Sequence, residues 1–270
     1  MSLQGGLGNQ MFQIFAALAY SIKHSKQLVI TANLNKWDKR STYWNSIFRD
    51  ISNITVHDVN ELKQINELRF NYSEIPIINQ SFILCGYFQS YKYFETNYKC
   101  IYNKLGLRKI IDYVRPYLNN SKNTISIHFR MGDYKTCLPY HAILLDNYYA
   151  SAIKYITNST GTSNWSIFYA CEQDDNAEVL NRIENIKNEL NNQGIQFIKI
   201  EDSLMDWEQM LLMSACDHNI IANSTFSWWS AYINDNKNKI VCYPDTWFGH
   251  KNSHLDTSDM FPSDWIKIKS

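Results

Sequence analysis

Arginine is scarce in this chain. Seven of its 270 residues are Arg, while the 26 basic residues together equal the 26 acidic ones. A forked clamp on phosphate or carboxylate therefore has few candidates. The zero formal charge excludes a broad electrostatic grip on nucleic acid or anionic membrane. No run approaches the roughly 18 consecutive apolar residues of a membrane span. No charged stretch followed by an apolar one opens the chain, so no signal peptide is visible and the expected location is cytoplasmic. The six cysteines, Cys85, Cys100, Cys137, Cys171, Cys216 and Cys242, form no CxxC pair, and several stand in apolar runs. They read as reduced core residues rather than a disulfide framework. There is no Asp-X-Asp to hold a divalent metal on a diphosphate, no HExxH and no His/Cys cluster. No Gly-X-Ser-X-Gly elbow is present. His141, His218, His250 and His254 are isolated and read as structural or exposed. No internal repeat is visible.

What is present is a globular composition, 45% apolar and 14% aromatic. Met11, Phe12, Ile14, Phe15, Leu18, Ala19 and Ile22 form a helical stripe. Strand patterns follow at 27–31, 54–57, 82–86, 124–129, 165–170, 195–200, 219–222 and 239–243. Helical patterns occupy 88–97, 108–118, 147–157, 176–193, 204–216 and 225–234. Alternating strands and helices imply parallel sheets covered on both faces, an α/β fold. The second half is the cleaner series, and 33–42 and 71–80 read as loops. Asn119-Asn120-Ser121-Lys122-Asn123 is the natural linker, giving domains 1–120 and 121–270. In such folds ligands bind beyond the carboxyl ends of the strands.

Four segments could carry chemistry. Gln4-Gly5-Gly6-Leu7-Gly8-Asn9-Gln10 opens the first helix, where glycines permit close backbone approach and the helix N-terminus favours an anion. It is neither a dinucleotide fingerprint nor a P-loop, and a tight turn explains it equally well. Only Met1–Gln4 stands before it, against a usual strand of about five or six residues. His128-Phe129-Arg130-Met131-Gly132-Asp133-Tyr134 follows a strand, and Arg130 can fork onto two phosphate oxygens or brace its own loop on Asp133. Asn219–Ser230 runs from an apolar strand into Asn223-Ser224-Thr225, where Ser224 or Thr225 is a plausible N-cap and free N–H groups can hold a phosphate. Trp228 and Trp229 read as packing residues, and their adjacency suggests that only one can face the core fully. Glu172-Gln173-Asp174-Asp175 is an acidic loop, fit either to accept bonds from sugar hydroxyls or a purine edge or to complement a helix dipole.

In this order the segments resemble glycosyltransferase family 11, the α-1,2-fucosyltransferases. Gly5–Gln13 looks like the family's N-terminal motif, and Gly86-Tyr87-Phe88-Gln89-Ser90 is similar to its Gly-Tyr-Phe-Gln-Ser segment. His128–Tyr134 resembles His-X-Arg-Arg-Gly-Asp-Tyr, with Met131 in place of the second Arg. Asn219–Trp229 and Phe261–Ile266 match further family segments, so the resemblance covers almost the whole chain. Glu208-Gln209 stands where many members carry an acidic residue before the Met-X-Leu-Met-Ser helix.

The resemblance implies a GT-B-like fold, two Rossmann-like domains facing a central cleft, with an acceptor-side N-terminal domain and a GDP-fucose-binding C-terminal one. It implies inverting transfer of L-fucose to the 2-hydroxyl of a terminal galactoside, with no metal and no cofactor. Carried over, Arg130 clamps the β-phosphate and His128 sits beside the nucleotide. Asp133 lies near the transferred sugar and is the first candidate for the base. Glu172 is a donor contact and the second candidate. Asn223, Ser224, Thr225 and Ser227 line the diphosphate and fucose end, while Gly6, Gly8, Asn9 and Gln10 face the cleft from the other domain. The expected partners are GDP-fucose and a glycan acceptor, with no nucleic acid. Transfer to another glycan or a protein, and a non-catalytic sugar-binding module, remain alternatives.

Overall fold

A computed structural model describes residues 1–32, 40–56, 62–191 and 194–270. Residues 33–39 of the expected loop, His57 of the expected strand and residues 192–193 of the expected long helix lie outside them. The chain divides into two compact units: Met1–Ile110 with Leu255–Pro262, and Ile111–His254 with Ser263–Ser270.

The first unit is built on α1 (Leu7–His24), whose apolar stripe is buried from Met11 to Ala19 but leaves Ile22 exposed, and whose end is marked by Ser25 in a left-handed conformation. Two parallel strand pairs follow among the described residues: β1 (Ile30–Thr31) with β2 (Thr55–Val56), and β3 (Gln64–Asn66) with β4 (Ile83–Cys85). Met1–Gln4 forms no strand, yet its backbone is partnered. Thr31 N–H donates to the Met1 carbonyl at 3.0 Å, and the Gln13 side-chain amide takes both polar groups of the Gln4 backbone at 3.1 and 2.7 Å.

The helix expected over 88–97 is absent. Phe88 has φ +54°, which a helix cannot use, and two 3-10 turns, Tyr91–Tyr93 and Glu95–Asn97, lead instead into α2 (Tyr98–Lys104). Next, α3 (Leu107–Val114) tightens to a 3-10 turn at Arg115–Leu118, because Pro116 has no N–H to continue the α pattern.

The second unit is a doubly wound α/β layer. Its elements are β5 (Thr124–His128), α4 (Asp146–Thr160), β6 (Trp165–Ala170), α5 (Asn176–Leu190), β7 (Ile195–Lys199), α6 (Asp206–Ser214), β8 (His218–Ile220), α7 (Thr225–Ile233), β9 (Val241–Pro244) and β10 (Ile266–Ile268). The strands form one parallel sheet in the order β10-β9-β8-β5-β6-β7. Strands β3 and β10 were not legible in the sequence, because each alternates over only three residues, too short a stretch for the pattern to stand out.

From β5 the chain winds outward to β6 and β7, then returns to the other side of β5 as β8 and winds outward to β9. Right-handed crossovers then place α4 and α5 on one face and α6 and α7 on the other, and these pairs do pack together. All five residues of β5 are buried, as expected of a central strand covered on both faces. Asp217 anchors it, accepting from Thr124 N–H and Oγ1 at 2.8 and 3.0 Å. The observed class is the expected α/β.

Both Trp228 and Trp229 are fully buried, against the expectation that only one could be. α7 is enclosed on more than one flank: Trp228 stacks on Tyr232 at 4.6 Å and meets Trp265 at 5.5 Å. The cysteines also depart from expectation. All six are free thiols, but only Cys171, Cys216 and Cys242 are buried, Cys85 is half-buried, and Cys100 and Cys137 are exposed. Among the described residues no helix is long and apolar enough to cross a membrane.

Candidate functional site

The reversal of winding direction between β5 and β8 leaves a crevice at the carboxyl ends of these strands. In open α/β sheets this switch point is where ligands bind. Three of the four sequence segments converge around it: the loop after β5, the loop after β8 and, from the neighbouring strand, the loop after β6.

His128 ends β5. It is 7% exposed, lies 5.1 Å from the Phe226 ring, and its Nδ1 has no hydrogen-bond partner. Burial, helped by the Arg130 charge, lowers its pKa to about 3, so the imidazole is neutral. Arg130 is two residues on. Its guanidinium is forked onto Asp133 at 2.5 Å and onto Glu172, and it lies over the Tyr134 ring at 4.7 Å. Both carboxylates are about half-exposed, so the fork opens toward solvent. The brace on Asp133 anticipated from the sequence is thus present, with Glu172 as a second arm.

The turn that carries Asp133 is a 3-10 helix, Gly132–Thr136. Gly132 has φ +30°, and a Cβ added there would stand against the Glu172 carboxylate. Only glycine lets Glu172 close over this turn. Behind it, the nearly buried Asp175 carboxylate accepts from Gly132 N–H and from Lys135 Nζ, each at 2.7 Å. Asp175 therefore holds the turn, a role the acidic-loop reading did not identify. No sequence signal could have found it, because Lys135 and Asp175 stand 40 residues apart.

Across the crevice, Tyr134 OH donates to the Asn223 carbonyl at 3.0 Å. Asn223 Nδ2 donates to the Ala142 and Trp247 carbonyls at 2.8 and 3.0 Å, but its buried Oδ1 has no partner. Ser224 is the N-cap of α7 without a side-chain cap, and Thr225 is the helix's first residue. Ser227 is fully buried, and its hydroxyl is committed to the turn, bonding Ala222 N–H at 3.1 Å and the Ser224 carbonyl at 3.2 Å. A buried polar atom left unpaired costs about 1–3 kcal/mol. Two such atoms, His128 Nδ1 at the end of β5 and Asn223 Oδ1 in the loop after β8, flank the crevice where α7 begins.

The first segment lies in the other unit. Gly6 is the uncapped N-cap of α1, preceded by Gly5 at φ +80°, and Gly8 is buried in the first turn. Asn9 Oδ1 accepts from Gln89 Nε2 at 3.0 Å, so the first glycine-containing segment is tied to the second, Gly86–Ser90. Gln10 Nε2 donates to the Gly5 and Ser41 carbonyls at 2.9 and 2.8 Å, and its buried Oε1 has no partner.

The chain is similar to known glycosyltransferases. The profile of glycosyl transferase family 11 matches residues 1–269. The chain is 28% identical to the O-antigen biosynthesis glycosyltransferase WbnK of Escherichia coli, over 98% of this chain and 99% of that protein. It is 26% identical to an α-1,2-colitosyltransferase of Escherichia coli, over 99% and 97% of the two chains. A crystal structure of NodZ α-1,6-fucosyltransferase soaked with GDP-fucose superposes with a TM-score of 0.47 at 13% identity, covering 86% of this chain and 90% of that one. With a family match along nearly its full length, the chain belongs to glycosyl transferase family 11.

Proposed function

We propose that this glycosyltransferase moves L-fucose from GDP-fucose to the 2-hydroxyl of a terminal β-galactoside, with inversion and without a metal. The observation that carries the reading is the switch-point crevice itself. It joins a forked arginine, a helix N-terminus and the unpartnered buried atoms of His128 and Asn223. The arginine and the helix N-terminus suit the diphosphate of a nucleotide sugar, while Asn223 Oδ1, which can only accept, suits a hydroxyl of the sugar or ribose.

In this reading the diphosphate replaces one or both carboxylates on Arg130. The acceptor oxygen forms a bond to the sugar anomeric carbon while the bond to the β-phosphate oxygen breaks. The acceptor proton passes to a carboxylate, Asp133 first and Glu172 second, and the electron pair leaves on GDP. Arg130 and the positive N-terminal end of α7, at Ser224 and Thr225, stabilise the charge that develops there. Gly6, Gly8, Asn9 and Gln10 are assigned to the same reaction, and the enzyme works on soluble donor in the cytoplasm.

A second donor has a specific motive: a relative of similar length is named as a colitosyltransferase. The test is a transfer assay offering GDP-fucose and GDP-colitose with lactose-type terminal β-galactosides, with and without EDTA, and linkage analysis of the product. An α-1,2-fucosylated product formed in EDTA is expected. Turnover of GDP-colitose alone replaces the donor, another linkage replaces the acceptor position, and EDTA loss restored by Mg²⁺ or Mn²⁺ removes the metal-free mechanism.

A further inference from the structure

Side chains alternate along the end of β5. His128 and Arg130 belong to the crevice, while Phe129 and Met131 are fully buried in the core of the second unit. One side chain from α5 reaches that buried side. Arg182 is 11% exposed and bonds Asp146 through Nε at 2.6 Å. It also donates to the Leu144 carbonyl and, through Nη1, to the Met131 sulfur at 3.1 Å. Its guanidinium lies 5.8 Å from the Phe129 ring and 5.7 Å from the Tyr149 ring. Tyr149 in turn donates its hydroxyl to the His128 carbonyl at 3.1 Å. Of the four residues 128–131, one guanidinium therefore touches two and reaches a third through Tyr149. The fourth is Arg130.

A buried guanidinium needs full compensation, and a carboxylate, a carbonyl, a thioether and two ring faces supply it here. The cluster is rigid because every member is packed or paired. It also accounts for the apolar residue at 131: a second arginine there would bring another cation against Arg182, whereas a thioether accepts from it.

We infer that Arg182 is a positioning residue, holding the His128–Met131 segment from the core side and so fixing the direction in which Arg130 presents its fork. The inference rests on the donor-site reading above. It concerns a residue that need not touch the nucleotide.

Two measurements test it on the full-length protein. The first is hydrogen exchange without nucleotide, following the Gly132 amide bound to Asp175 and its neighbours through Thr136. The second is calorimetry with GDP. The variants are Arg182→Lys, which keeps the charge but loses the fork, and Met131→Leu, which removes the sulfur acceptor at similar volume and serves if the first does not fold. At unchanged far-UV circular dichroism, Arg182→Lys should speed exchange in 130–136 and weaken GDP binding about tenfold, in line with the cost of small misplacements remote from the chemistry. Met131→Leu should shift both in the same direction by less. A lowered melting temperature with wild-type loop exchange and wild-type GDP affinity would show a purely structural residue and overturn the inference. Failure of the wild-type protein to bind GDP would instead remove the donor reading, and the exchange result would still decide whether Arg182 holds the loop.

Discussion

Arg130 is forked onto two carboxylates that are each about half-exposed, and this shapes what its removal should do. Arg130→Ala leaves Asp133 and Glu172 able to hydrate, so the fold should survive. The loss falls on the developing charge of the leaving diphosphate, where removing one preorganised donor costs about 10²–10³ in kcat. An Arg130→Ala protein with native circular dichroism and near wild-type transfer would remove Arg130 from the reaction. Its neighbour His128 gives a pH signature in stability. The folded-state pKa is lowered to about 3 from an ordinary 6.5, so the unfolded chain binds the extra proton between those values. Stability from this residue is complete above pH 6.5 and falls as pH drops through the window, by about 1.4 kcal/mol per unit. His141 and His218 are shifted in the same direction, also by burial. The discriminating quantity is therefore the difference in slope between wild type and His128→Gln, measured by urea unfolding at pH 7, 6 and 5. Equal slopes would mean that His128 is not held neutral. In sequence, Arg130 stood out because arginine is rare and a strand preceded it. The fork onto Glu172 was not legible, because a contact 42 residues apart leaves no local pattern.

At the scale of the element, the 3-10 turn Gly132–Thr136 depends on glycine at its first position. Gly132→Ala would pay twice: φ +30° is a left-handed conformation, and the new Cβ would stand against the Glu172 carboxylate. Glu172 must then leave Arg130 or the turn must rotate away from Asp175. Transfer should fall at least tenfold, with the loss in donor KM as well as kcat, while urea unfolding shows a destabilisation of about 1–3 kcal/mol. Unchanged kinetics would show that the turn is not tied to the reaction. Elements of this kind also explain how far the sequence could be read. The long parallel-sheet strands and their helices were visible, since β5 alternates Ile125 and Ile127 with small polar residues, β6 is a nearly continuous apolar run, and polar loops bound both. The segment 88–97 misled because its aromatic spacing imitates a helix while Phe88 adopts a positive φ that no local pattern announces. The burial of both Trp228 and Trp229 was hidden for a related reason. Periodicity assigns one buried face to a helix, whereas α7 is packed through Trp228 by Trp265, 37 residues further on, as well as by the sheet.

For the molecule as a whole, the zero net charge and the placement of the crevice carry the same implication. Every donor-contacting residue proposed from the loops after β5, β6 and β8 lies within 128–227, inside the second unit. The diphosphate contact depends on local geometry rather than on a charged face, so ligand stabilisation should begin in one unit. At a concentration of GDP about 100 times its dissociation constant, mass action stabilises the binding unit by about 2.7 kcal/mol. Hydrogen exchange with and without GDP should then show slowed amides in 130–136, 171–175 and 223–228. The first turn of α1, carrying Gly8, Asn9 and Gln10, separates two cases. If those residues contact the donor, their amides slow with GDP itself. If they serve the sugar or the acceptor, they slow only with GDP-fucose or with acceptor added. Protection confined to α1, with none at the carboxyl ends of β5 and β8, would move the nucleotide out of the second unit and overturn the assignment of the switch-point crevice. The charge argument adds a salt condition. A site built on one forked arginine and helix N–H groups presents no extended cationic face, so raising ionic strength should weaken GDP binding only gradually, without the steep dependence that follows when many phosphates are neutralised together. A steep dependence would mean that further cations, from either unit, gather around the nucleotide.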